Sequence, residues 1–224
     1  RARAITNEIG HNGSIPILHI DGVDHWRRAA VLRDRRFWLG LIWLTIVPGF
    51  TNTGLLFHQI YLAGEAGVTL TTWTANYIFY AAFAVIGSLV SGYLVDRFTA
   101  RRIAAHMMLP ITFSCLALWI ADGSVGVFFF FIFFGLASGM PQTAVSAALA
   151  ELYGTRYIGE VKAVFLPLGV FSSALSPMVM GVLIDLGFSM ATLMGLNIAL
   201  AVAAQLSATR MLRVPPPPFL SRKG

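Results

Sequence analysis

The sequence predicts an all-α membrane protein of six transmembrane helices, and three observations carry that prediction. Its 224 residues are 57% hydrophobic and 12% charged, with a mean hydropathy of +0.73, more apolar material than one soluble core of this length can bury. Six apolar stretches, 37–62, 72–95, 103–121, 125–147, 163–184 and 188–209, each approach the roughly 20 helical residues needed to cross about 30 Å of hydrocarbon. All 16 basic residues fall on the two ends of the chain and on the second and fourth connections between those stretches. A lipid-facing barrel would instead show short alternating segments, and FFFFIFFGLA does not alternate.

The chain divides into residues 1–36, a polar linker; 37–209, the six-helix membrane domain; and 210–224, a basic tail rich in proline. The linker opens on Arg1 rather than Met and holds no signal-peptide pattern, so a truncated or processed start is expected. His11, His19 and His25 are too widely spaced for a compact ligand set, and no metal is predicted. The segment WRRAAVLRDRRFW at 26–38 reads as one amphipathic, arginine-rich helix on the membrane surface, with Trp26, Trp38 and Trp43 suited to the interface. Four prolines at 215–218 end helix formation and predict an extended tail.

Seven basic residues precede the first stretch, three follow the second (Arg97, Arg101, Arg102), two follow the fourth (Arg156, Lys162) and four follow the sixth. The other connections carry Glu65, Asp122 and Asp185 and no base. By the positive-inside rule both termini are cytoplasmic in a multi-pass protein of the cell's inner (plasma) membrane. The same placement accounts for the net charge of +6 without nucleic acid as a partner. Cys115 is the only cysteine, which excludes an intrachain disulfide.

Short connections predict antiparallel consecutive helices that pack as neighbours. Gly87 with Ser91, Gly135 with Gly139, and Gly181 near Ser176 and Pro177 offer the small-residue surfaces that helix packing in lipid uses. Pro48, Pro141, Pro167 and Pro177 fall inside spans, where each removes a backbone donor. GYLVD at 92–96 recurs as GVLID at 181–185, at the ends of the second and fifth spans and on opposite faces, which predicts two inverted groups of three helices.

The loop GYLVDRFTARR at 92–102 resembles the signature loop of the major facilitator superfamily, Gly-x-Leu-x-Asp-Arg-x-Gly-Arg-Arg/Lys. Gly92, Leu94, Asp96, Arg97, Arg101 and Arg102 match, while Thr99 and Ala100 depart as in the degenerate copy of the second half. AELYGTRYIGEVKA at 150–163 and SSALSPMVMGVLID at 172–185 resemble the same half of bacterial members of the monocarboxylate-transporter-like branch. The resemblance implies the carboxy-terminal half of a twelve-helix secondary transporter that moves a small solute by alternating access, as a symporter with a proton as the candidate coupled ion, with an amino-terminal six-helix half as partner and no cofactor. It further implies a cytoplasmic gate formed by Gly92, Asp96, Arg97, Arg101 and Arg102, with Gly92 in close helix contact and the arginines paired to Asp96. A carboxylate solute follows from the branch alone.

In that family the cavity is lined by the first, second, fourth and fifth helices of each half. Polar side chains within those spans are the candidates, because lipid leaves them unsatisfied. They are Thr51, Asn52, Thr53, His58 and Gln59 in the first span, Asn76, Tyr77 and Tyr80 in the second, and Gln142 and Thr143 in the fourth. Asn197 and Gln205 read as packing groups of the sixth. No Asp, Glu, Lys or Arg lies deep within the predicted stretches, which leaves His58 as this half's one candidate for proton coupling. An intramembrane enzyme is disfavoured, since neither a Gly-x-Ser-Gly nucleophile nor a His-Glu-x-x-His pair is present. A self-contained six-helix protein, either a substrate-binding component or a homodimeric half-transporter, is the alternative reading.

Overall fold

The computed structural model describes residues 17–20 and 23–213. Six helical stretches in it are long and apolar enough to cross a membrane: Phe37–Phe57, Leu70–Arg97, Ala100–Ile120, Gly123–Tyr153, Ile158–Asp185 and Met190–Arg213, hereafter the first to sixth spans. The fourth reaches six residues beyond the predicted 147. Apolarity marks where lipid is, whereas the good helix formers that follow carry the coil on to Gly154. At 31 residues it is roughly 47 Å long and extends past the hydrocarbon.

The first two spans are interrupted near the end that carries the acidic connections. The first breaks at His58 and continues as Gln59–Glu65, and the second opens as Leu70–Ala75 before restarting at Tyr77. The turns after the first and fifth spans are built alike. Val68 N–H donates to the Ala63 carbonyl and Phe188 N–H to that of Leu183, around Gly67 and Gly187 at φ of 68° and 84°. These are the six-to-one bonds of a Schellman ending, whose left-handed position glycine fills without strain.

Consecutive helices are not, in general, the packing partners that the short connections predict. The extensive interfaces join the second span to the fourth, the first to the fifth, the third to the fourth and sixth, and the sixth to the start of the first. Loop length fixes only direction; the small-residue faces select the partner. A Cβ on Gly49 would sit 2.7 Å from the Gly169 carbonyl oxygen, one on Gly135 would sit 2.5 Å from that of Tyr80, and one on Gly139 would collide with that of Ala84. Hydroxyls complete these crossings. Ser172 donates to the Ile46 carbonyl (2.9 Å), Ser176 to that of Phe50, and Ser91 to that of Met140 (2.8 Å).

The linker departs from the single helix predicted over 26–38. Strands β1 (Ile17–Ile20) and β2 (Val23–Trp26) pair antiparallel, and helix is limited to one turn, α1 (Arg28–Val31), until the coil of the first span begins at 35. The Asp34 carboxylate accepts from the Arg36 backbone N–H (2.9 Å) and pairs with its guanidinium (2.8 Å), a local bond that competes with helix continuation. Trp26 is not at an interface: it is 6% exposed, and its ring meets Tyr153 edge-on at 5.5 Å. Trp38 remains exposed. Arg27 lies 4.9 Å over the Tyr157 ring, and its hydrogen bond lowers the phenol below the usual range. The linker is thereby clamped onto the turn between the fourth and fifth spans. His11, the side chain of His19 and the prolines at 215–218 lie outside the described residues.

Large apolar side chains stand exposed along the second span, Ile78, Val85, Leu89 and Tyr93 among them, and along the fifth, including Val170, Phe171 and Met178. Only lipid or another apolar surface suits them. Replacement of Gly139 by Leu is expected to cost about 1–3 kcal/mol or more and to lower the melting temperature of the detergent-purified chain. Gly92→Ala, with nothing within 4 Å of the added Cβ, should melt as wild type. Tryptophan-fluorescence thermal unfolding checks both.

Candidate functional site

A cleft of about 510 Å³ opens between the first, fourth and fifth spans, from mid-helix toward the arginine-bearing end. Its polar wall is made of Thr45, Asn52 and Thr53 from the first span, and Ser138, Gln142 and Ser146 from the fourth. The fifth contributes Ser173 and Lys162. Pro48 and Pro141 also line it. Each lacks an N–H, so the carbonyls four residues earlier, on the cleft-lining residues Leu44 and Ala137, lose their helical donor. The cleft is therefore rich in neutral acceptors and hydroxyls, with one cation at its arginine-side end.

Asn52 sits at the centre of this wall. Its Nδ2 donates to Ser138 Oγ at 3.4 Å, and Tyr80 OH donates to the same oxygen at 3.0 Å. Asn52 Oδ1 is buried and has no partner, an acceptor left open where a ligand donor or a water would be favoured. Beside it, Thr53 Oγ1 and Ser173 Oγ are 2.5 Å apart and bridge the first and fifth spans.

Of the residues expected to form the cavity, Asn52, Thr53 and Gln142 line the cleft and Tyr80 reaches it through Ser138. Thr51, His58, Gln59 and Asn76 do not. Thr51 is 1% exposed and donates to Asn197 Oδ1 (2.8 Å) in the packing of the first span on the sixth. His58 Nε2 lies 3.0 Å from the Pro177 carbonyl oxygen, so that ring nitrogen carries the proton. Gln59 Oε1 accepts from Tyr77 OH (2.9 Å), and Asn76 donates to the Thr72 carbonyl (2.8 Å). The last three sit at or beside the interruptions of the first two spans, where freed polar groups need partners. Asn197 and Gln205 pack helices as expected; Gln205 Oε1 accepts from Met108 N–H at 3.2 Å.

Ser138, Gln142 and Ser146 were legible as a stripe four residues apart, one face of one helix. Lys162 reads as a loop residue in the sequence because apolarity begins the fifth span at 163, whereas its helix begins at Ile158.

The signature loop is arranged differently from the expectation. Asp96 is exposed and makes no hydrogen bond or ion pair among the described residues, and Gly92 faces open space. Arg101 pairs instead with Glu151 at the end of the fourth span: Nε to Oε1 is 2.7 Å, and its backbone N–H donates to Oε2 at 3.2 Å. The reason is positional. Thr99 starts the next helix, which turns Arg101 toward the fourth span and away from the second. Arg97 donates to Tyr93 OH (2.9 Å).

Among protein families, the Major Facilitator Superfamily profile matches residues 14–177. No curated protein matches the chain.

With Cys115 replaced by alanine, a cysteine at Ser146 is expected to react with a water-soluble methanethiosulfonate. One at Ser114, buried and bonded to the Phe130 carbonyl, should stay unmodified. Mass spectrometry of the labelled protein reads both.

Proposed function

We propose that this chain, which belongs to the Major Facilitator Superfamily, is the carboxy-terminal half of a secondary transporter that moves a small solute by alternating access. It is a membrane transport protein of the major facilitator type. The observation that carries the finer reading is the open cleft between three spans, with its polar wall and with prolines inside two of the helices that line it. An amino-terminal six-helix half would close it, meeting the exposed apolar faces of the second and fifth spans that flank it.

An inverted repeat within the half supports the same reading. GYLVD and GVLID are 89 residues apart, and the same offset relates the close helix contacts. Gly49 against the Gly169 carbonyl corresponds to Gly135 against that of Tyr80. Thr53 against Ser173 corresponds to Gly139 against Ala84. Partners on the second and fifth spans differ by 89, and those on the first and fourth by 86. Asn52 and Ser138 are themselves 86 apart and touch one another, as residues beside a pseudo-two-fold axis do. Exchanging the two groups of three also converts the pairing of the first span with the fifth into that of the fourth with the second. Paired inverted repeats that meet at a midplane site are the architecture of rocking carriers.

In this reading the arginine-bearing face is cytoplasmic, by the positive-inside rule, and the cleft opens inward. The solute is a small carboxylate: Lys162 supplies the countercharge, and Gln142 and the hydroxyls donate to it. Asn52 Oδ1 accepts from a donor elsewhere on the solute, such as a hydroxyl, and among the described residues no Asp or Glu lines the wall to repel the carboxylate. His58 holds the fifth span at Pro177, and the proton-coupling group lies in the other half.

Uptake of radiolabelled lactate and of glucose into proteoliposomes tests this. The full-length transporter is expected to take up lactate and the chain alone to be silent; activity of the chain alone would establish the self-contained reading. Lys162→Gln or Asn52→Ala should lower lactate uptake about tenfold, the worth of one lost polar contact. His58→Gln should retain most uptake, and selective loss of its pH-dependent component would assign coupling to His58.

A further inference from the structure

A second pocket, of about 440 Å³, lies at the arginine-bearing end between the start of the third span and the end of the sixth, apart from the transport cleft. Its polar wall is Thr99, Arg101, Arg102, His106 and Arg213. Glu151 neutralises Arg101. Arg102 and Arg213 are exposed, and among the described residues neither side chain has a hydrogen bond or ion pair. His106 Nδ1 is 2.7 Å from the Arg102 carbonyl oxygen. That bond fixes the proton on Nδ1 and leaves Nε2 as the ring's remaining polar atom. Two unmatched guanidiniums thus share one concave site, a surplus that attracts a phosphoryl group.

What lies beside the pocket distinguishes a lipid from a free phosphate. Leu109 and Phe113 stand one turn apart on the helix of the third span, just beyond the turn that holds His106, and are exposed at 42% and 45%. Beyond them Phe113, Leu116, Phe129 and Phe133 line a groove with no polar surface. A headgroup held by the arginines would lay its acyl chains along this strip, and a soluble anion would leave the strip unused. Basic pockets between helices at a membrane surface are suited to such headgroups. We propose that the pocket between the third and sixth spans binds the phosphoryl headgroup of an anionic phospholipid, with the acyl chains running along Leu109 and Phe113.

The test is a titration of a fluorescent short-chain phosphatidylglycerol into the detergent-purified chain, with unlabelled phosphatidylglycerol, phosphatidylcholine or inorganic phosphate as competitor. Saturable binding displaced by phosphatidylglycerol alone is expected. The pair R102Q/R213Q should bind roughly thirtyfold more weakly, R102K/R213K should keep most of the affinity, and R210Q, outside the pocket, should bind as wild type. Melting temperatures and the single variants R102Q and R213Q separate loss of binding from loss of folding. Unchanged binding by the folded single variants and the pair overturns the proposal. So does equal loss in R210Q, or displacement by inorganic phosphate as effective as by phosphatidylglycerol.

Discussion

The fold rests on backbone-to-backbone approach between crossing helices. Lipid supplies no hydrophobic drive for one apolar helix to leave the bilayer for another, so association depends on dispersion at short range and on hydrogen bonds with no competing water. Gly49 against Gly169, Gly135 against Tyr80 and Gly139 against Ala84 bring backbones close enough for both. Ser172, Ser176 and Ser91 then place hydroxyl protons on carbonyls of the facing helix. Two tight pairs result, the first span with the fifth and the second with the fourth. The cleft lies between these pairs, walled by the first, fourth and fifth spans.

The same constraint explains what could be read from the sequence. The spans are legible because twenty apolar residues have few alternative environments. The small-residue positions are legible because lipid-facing helices have little other use for them. Their partners are not, since a glycine states that something comes close and not what does. The single helix expected over 26–38 failed for a local reason: Asp34 satisfies Arg36 at both backbone and side chain, an arrangement that hydrophobic periodicity does not register.

The cavity residues divide along a physical line. Polarity within a span implied a cavity, and Asn52, Thr53 and Gln142 do line a cleft. His58, Gln59 and Asn76 are polar for another reason, because they lie where a helix breaks and backbone groups need partners. Thr51 is polar because Asn197 faces it. Polarity in lipid therefore marks an unmet hydrogen-bonding demand, of which a ligand is only one kind. The stripe of Ser138, Gln142 and Ser146 is the stronger signal, for a break or a single interhelical bond needs one polar residue and not three along one face.

The proposed pseudo-symmetry passes through Asn52 and Ser138, and the chemistry of the cleft departs from it in a telling way. Equivalent positions on the second and fifth spans carry different groups: Tyr80 answers to Gly169, and Ala84 to Ser173. On one side of the axis Tyr80 OH donates to Ser138 Oγ, while on the other Gly169, packed against Thr45 with no space for a Cβ, lines the cleft together with Ser173. The repeat thus supplies a symmetric frame in which one side is filled by a phenol and the other stays open. Lys162 lies on the open side, carried by the fifth span. A solute seated there would meet Asn52 Oδ1 on the axis and the ammonium toward the mouth. The frame is common to both groups of helices, whereas selectivity is a property of the positions at which they differ.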